Sequence, residues 1–163
     1  MDPRLIERGA VVGGLLRERG ETVAVAEGSC GGLVSAALLS MPGASGHMRG
    51  GAVIYTRAAL DGFLGDAVPR PDRLRGASEP FARLLAESAR IVLASDWGLG
   101  EGGAAGPDGN PYGDPAGHAW FAVDGPTVAT RHLLTGSNDR VANMTTFALE
   151  ALDLLESGLR DAP

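Results

Sequence analysis

At 163 residues the chain is long enough for one domain with a single substantial core, and its 44% hydrophobic content and mean hydropathy of +0.04 describe a folding sequence rather than a disordered one. A net charge of −6 without a clustered basic face excludes a nucleic-acid binder, and no run approaches the ~20 apolar residues of a membrane span. All 14 basic residues are arginine, which closes every route that needs lysine as a base or Schiff-base amine.

The first expected element is a helix over 2–19. Asp2 caps it, Pro3 suits its first position and Gly20 its stop, and Leu5, Ile6, Val12, Leu15 and Leu16 form its apolar face. A strand over 22–26 follows and breaks at Glu27-Gly28-Ser29-Cys30-Gly31-Gly32, after which a helix runs over 31–40. A strand that ends in a small, glycine-rich turn and feeds a helix aims backbone N–H groups at one point, which suits an anion, a carbonyl oxygen or an activated nucleophile. A loop at 42–46 precedes a second strand, Gly51–Thr56, and a short helical stretch over 58–64. The proline-rich segment 65–76 reads as a surface connection.

Ser78-Glu79-Pro80 opens a long helix to about residue 94, with Phe81, Leu84, Leu85, Ile91 and Val92 toward the core. The eight glycines from Gly98 to Gly117, with three prolines among them, predict a long functional loop. Strands over 117–123 and 127–134 then form a hairpin through Asp124-Gly125-Pro126, and a final helix runs over 139–159. This order predicts one domain over 1–163, a three-layer α/β/α sandwich with a mixed sheet. The apolar helices over 31–40 and 139–159 predict at least a two-fold dimer. The opening MDPRLIERGA lacks the basic-then-apolar order of a secretion signal, and the single cysteine allows no internal disulfide; both point to a cytoplasmic protein.

Several of these segments resemble the CinA C-terminal domain family, the nicotinamide-nucleotide amidases. Ala26–Gly32 is similar to that family's AESCTGG turn, Pro42–Ser45 to its GSS loop and Gly51–Thr56 to its VTYSN segment. Gly76–Glu79 resembles GAVSE, Ala105–Gly109 the end of TGIAGPDG, and Asp139-Arg140 the GDR before the last helix. The resemblance spans residues 22 to 155 and implies an α/β/α fold, oligomers and, for some members, hydrolysis of the carboxamide of nicotinamide mononucleotide to the acid and ammonia. It implies a serine nucleophile, a lysine that activates it and a threonine that shapes the pocket. Carried onto this chain, those three positions hold Gly28, Leu60 and Gly102, while Cys30 stands where the motif has its own threonine. The chain keeps Glu27, Gly31, Gly32, Ser45, Tyr55, Gly106, Pro107, Asp108 and Arg140.

Two readings follow. One is an amide hydrolase with rebuilt machinery: Cys30 or Ser29 as nucleophile, His47 as base and Tyr55 at the pocket rim. The other is a catalytically silent homologue that keeps a nucleotide-shaped pocket or an oligomer interface. Cys30 at a helix N-terminus would have its thiolate favoured, and the alternative is a small residue packing the turn. Glu101 could pair with Glu27 or, with His47, hold a metal, or be a solvated loop carboxylate. Nothing has metal-ligand spacing in sequence, and no cofactor motif is present. Arg140, placed against the dipole at a helix start, suits a phosphate or carboxylate contact, the alternative being an ion pair to Asp139 or Glu101. Tyr55 could instead be strand-end packing, and His118 and His132 exposed or hydrogen-bonded in place. The expected ligand site comprises Glu27, Gly31, Gly32, Ser45, Gly106, Asp108 and Arg140, around a small nucleotide such as nicotinamide mononucleotide.

Overall fold

A computed structural model describes residues 1–163. Helix α1 spans Pro3–Arg19, with the Asp2 side chain accepting from the Arg4 amide and Gly20 closing it in the left-handed conformation. Strand β1 (Val23–Glu27) leads to α2 (Leu33–Leu39), and a 3₁₀ turn at Ala44–Gly46 leads to β2 (Met48–Val53). Helix α3 (Arg57–Ala59) continues into one π-helical turn, Leu60–Leu64, and α4 covers Glu79–Val92. Strands β3 (Trp97–Ala104), β4 (His118–Asp124) and β5 (Ala129–Leu134) precede the long α5 (Arg140–Asp161).

The five strands form one mixed sheet in the order β2-β1-β3-β4-β5. β1 pairs in parallel with β2 and β3, and the β3-β4 and β4-β5 pairs are antiparallel. Helices α1, α2 and α5 pack together on one face and α4 covers the other, so the expected three-layer α/β/α architecture is present. The crossover from β1 passes over one face and that from β2 over the other. The crevice beyond the carboxyl ends of β1 and β3 is therefore the switch point at which open α/β sheets bind ligands.

Four differences from the sequence reading have local causes. The glycine run is not all loop: 97–104 is the central strand β3. A Cβ on Gly98 would lie 1.9 Å from the Ala86 carbonyl oxygen, and one on Gly100 would lie 2.1 Å from that of Ala82. Glycine there lets the backbone of α4 rest directly on the strand. That close approach also explains the core face of α4, which is Ala82, Leu84, Leu85, Ala86, Ser88 and Ala89, while Ile91 and Val92 stay exposed. β2 starts and ends three residues earlier than expected because its register with β1 opens at Met48, which frees Ile54 and Tyr55 for the crevice. Finally, most apolar residues of α2 and α5 face the core of one copy, while Leu39 and Val141 stay exposed. Val34, Ala37, Leu38, Phe147, Leu152 and Leu155 all belong to the buried core.

Candidate functional site

The turn between β1 and α2 is held by two buried carboxylates on adjacent strands, Glu27 and Glu101, which are register partners. Glu27 accepts from the amides of Gly32, Val34 and Ser35 at 3.0, 3.1 and 3.0 Å, and from the Ser35 hydroxyl at 2.7 Å. Glu101 accepts from the amides of Gly28 (3.0 Å) and Cys30 (2.9 Å) on Oε2, and from the Ser29 hydroxyl on Oε1. The Gly31 and Leu33 amides donate to the carbonyls of Gly28 and Cys30. Ser29 has the one amide between Gly28 and Ser35 that meets no acceptor.

This overturns the expectation of an open cradle of N–H groups. The protein fills that cradle with its own carboxylates, so Glu27 is a turn-holding group rather than a ligand contact. Glu101 is likewise no solvated loop carboxylate, since it lies on β3 at 1% exposure. Burial pushes its carboxyl up, and its bonds from Ser29 and from the Cys30 amide pull in the other direction.

Above the turn lies a cavity of about 330 Å³, at the small end of the usual range for ligand pockets. Gly28, Leu60 and Gly102, 74 positions apart at the extremes, line it together with Ser29, Gly103 and Tyr55. Tyr112, Phe81, Ile54 and Leu74 supply aromatic and apolar walls. The Arg140 guanidinium ties the rim: Nη1 donates to the Gly106 carbonyl at 2.7 Å and Nη2 to the Tyr55 hydroxyl at 3.0 Å. Neither Asp139 nor Glu101 pairs with it, so the ion-pair alternative gives way to a bridge joining α5, the Gly106 loop and the end of β2.

The far wall is held by histidine. His118 Nε2 donates to the Ala77 carbonyl at 2.8 Å, which leaves Nδ1 to accept from His132 Nε2 at 2.9 Å, and Asp114 approaches His118 to 3.6 Å. Both histidines are thus hydrogen-bonded in place.

Other expected residues lie elsewhere. Ser45 and His47 sit before β2, and the Val23 amide bonds the His47 carbonyl at 2.8 Å, which fixes them at the start of β1. The turn is beyond the far end of that strand, about 13 Å away at 3.3 Å per residue. His47 is fully buried with Nε2 on the Leu38 carbonyl, so it serves neither as base for the turn nor as partner of Glu101 for a metal, and Ser45 is no pocket residue. Asp108 is exposed on the loop after Gly106, without a hydrogen bond. Gly31 and Gly32 supply left-handed backbone (φ 66° and 99°) at the start of α2, and neither lines the cavity.

Cys30 is fully buried in the main core. Burial, and then the Glu101 and Glu27 carboxylates, push its thiol well above the usual range, which reverses the expectation of a helix-favoured thiolate. The folded protein is therefore expected to resist alkylation by iodoacetamide at pH 8 and to react once unfolded in urea, as read by intact mass. Rapid native alkylation would return Cys30 to the list of nucleophiles.

Sequence reasoning missed Leu74, Phe81, Asn110 and Tyr112. The periodicity of α4 points Phe81 to the core, and Tyr112 and Asn110 lie in a Gly/Pro-rich stretch whose only signal is an aromatic ring where none is needed for a turn.

The family model for the CinA C-terminal domain matches residues 7–159. A CinA-like protein of Anaeromyxobacter sp. (strain Fw109-5) is 40% identical over 153 residues, covering 93% of this chain and 37% of the relative. One from Prochlorococcus marinus (strain MIT 9313) is 42% identical over 117 residues, 72% of this chain and 27% of the relative. The chain thus spans between about a quarter and a little over a third of the length of these curated relatives. Among solved structures, a competence or damage-inducible protein from Enterobacter asburiae superposes with a TM-score of 0.86 at 26% identity, covering 97% of this chain and 99% of that one. The competence/damage inducible protein of Agrobacterium tumefaciens gives 0.88 at 23% identity, covering 99% and 98%, and shares the fold. With its whole α/β/α domain matched in sequence and in architecture, the chain belongs to the CinA C-terminal domain family.

Proposed function

We propose that this domain binds a small nucleotide of the nicotinamide mononucleotide type in the cavity at the β1 turn, on an amidohydrolase scaffold whose serine, lysine and threonine have been replaced. One observation carries the reading. The three positions where the family resemblance implies a nucleophile, its activating base and a pocket-shaping hydroxyl, now Gly28, Leu60 and Gly102, line a single cavity. The scaffold still brings them together, but none has a group that can attack, take a proton or donate a hydrogen bond from its side chain. Tyr55, Phe81 and Tyr112 offer faces for a heteroaromatic ring, and Arg57 at the cavity wall is a cation for a phosphate.

The loss of the serine is not forced by lack of room. A Cβ on Gly28 would meet the Glu101 and Ile54 carbonyl oxygens at 3.4 Å, an ordinary contact. At Gly102 a Cβ would crowd the Phe81 ring at 2.9 Å, so the aromatic wall and the missing threonine go together.

Calorimetric titration with nicotinamide mononucleotide is expected to show saturable binding, weakened about tenfold or more by Tyr55→Ala. Ammonia release by the inherited route is expected to be at background, because loss of a nucleophile alone removes about 10⁴-fold or more of such activity. Gly28→Ser alone should restore little, since Leu60 still cannot take the proton. Absence of binding, or ammonia release that survives Ser29→Ala and Cys30→Ala together, would overturn the reading.

A further inference from the structure

We propose that Ser29 and Glu101 form a serine–carboxylate pair that opens on the cavity and performs acyl transfer from small aromatic esters or amides, one residue along from the vacated position Gly28. The inference rests on the reading above only for the cavity itself.

Four observations meet at this pair. Ser29 is among the residues that line the cavity, at 6% exposure. Its hydroxyl donates to Glu101 Oε1, while both bonds that brace the turn, from the Gly28 and Cys30 amides, fall on Oε2. The turn amides thus leave Oε1 to the serine, in the geometry of a nucleophile and its base. Gly103 leaves the serine uncovered, since a Cβ there would stand 2.8 Å from Ser29 Oγ. The Ser29 amide is the N–H of the turn that remains without an acceptor, so the residue carries a spare donor for a developing oxyanion.

A carboxylate buried at 1% exposure is costly, and two amide bonds would be met as well by a neutral carbonyl. A base for the serine explains why the group is ionisable. The titratable groups around it are Glu27 on β1 and the Cys30 thiol in the turn, and neither is free to serve. Glu27 is saturated by α2, and the thiol is buried with its pKa raised.

The step balances without a cofactor. Ser29 Oγ attacks the acyl carbon, a C–O bond forms, and the hydroxyl proton passes to Glu101 Oε1. Collapse of the tetrahedral oxyanion breaks the bond to the leaving oxygen or nitrogen, which takes the proton from Glu101. Water then attacks the acyl-serine with Glu101 again accepting a proton, and the carboxylic acid and the free serine are released.

The test uses a fluorophosphonate, which forms a stable adduct only with an activated hydroxyl and needs no knowledge of the substrate. The whole chain at pH 8 is expected to gain one adduct, mapped to Ser29 by peptide mass spectrometry, and Ser29→Ala is expected to gain none. Glu101→Gln keeps an acceptor for the turn amides and should slow labelling about 10²-fold, the scale of lost base catalysis. In the parent the labelling rate should rise with pH as Glu101 ionises, with a midpoint above that of an ordinary glutamate; in Glu101→Gln that dependence should vanish. If Glu101→Gln melts before labelling can be compared, the parent's pH profile alone decides.

Nicotinamide mononucleotide should protect Ser29 from the probe. Nucleotide binding without labelling sinks the pair and leaves the binding reading intact. Labelling of Ser29 without nucleotide binding sustains the pair and removes that reading. A Ser29 adduct that forms equally fast in Glu101→Gln, or at a rate independent of pH, overturns the proposed base.

Discussion

Gly100→Ala is expected to cost about 3–5 kcal/mol, more than most single changes, although it adds one methyl group. The new Cβ would stand 2.1 Å from the Ala82 carbonyl oxygen and 2.5 Å from the Ala86 amide nitrogen, both backbone atoms of α4. No side-chain rotation relieves that contact, so α4 has to lift from β3, and it carries Leu85 and Ala89 away from the cluster they form with Ala24, Ala26 and Ile54. For a domain of this size the loss corresponds to a melting temperature lower by about 10 °C. Gly14→Ala is the control. It lies in α1 with nothing within 4 Å of a new Cβ, and is expected to stabilise by about 0.5–1 kcal/mol. Thermal melts followed by circular dichroism compare the two, and a Gly100→Ala protein that melts within about 2 °C of the parent would show that the α4 backbone does not rest directly on β3.

The same glycine marks the limit of what the sequence discloses. Helix α1 was legible because its signals are local: Asp2 caps it, Pro3 opens it and Gly20 ends it, and each acts within a few residues. The β4-β5 hairpin was legible for the same reason, through its Asp-Gly-Pro turn and two apolar runs. β3 was not, because Gly98, Gly100 and Gly102 look like loop chemistry when only their neighbours in the chain are considered. What requires glycine there is a helix that begins at Glu79, and no local pattern reports it.

The candidate site divides along the same line. The strand–turn–helix at Gly28–Gly32 and the convergence of Tyr55, Gly102 and Ser29 followed from motif order. The chemistry of the turn did not, because its amides are consumed by Glu101, which arrives from more than 70 residues away. The motif resemblance puts Ser45, and with it His47 in the same loop, near Cys30, and the chain path does not follow. A parallel β1-β2 pair has to return to its starting end before it runs again, and that return carries them to the opposite edge of the domain.

Glu27 provides the second large effect. Its carboxylate is fully buried, and it caps α2 from the preceding strand, taking three amides and a hydroxyl from a helix whose own N-cap residue, Gly32, has no side chain to offer. Glu27→Leu fits an apolar neighbourhood but leaves the Gly32, Val34 and Ser35 amides without an acceptor. Each buried donor stripped in this way costs about 1–3 kcal/mol, and bonds to a charged acceptor lie at the upper end. A loss of about 4–6 kcal/mol is expected in urea unfolding, a large part of the stability of any single domain. Glu27→Gln keeps one acceptor oxygen but turns an NH₂ group toward donors, so it should fall between Glu27→Leu and the parent. Ser35→Ala removes a single partner and should cost about 1 kcal/mol. Because α2 begins where the cavity floor ends, the damage should be local first. Amide exchange at Gly32–Ser35 is expected to accelerate in Glu27→Gln, ahead of exchange in the α4 face of the sheet. A Glu27→Leu protein that keeps parental stability and slow exchange at those amides would mean that α2 is held by its packing on α1 and α5 alone, and that the two carboxylates are not what shapes the turn.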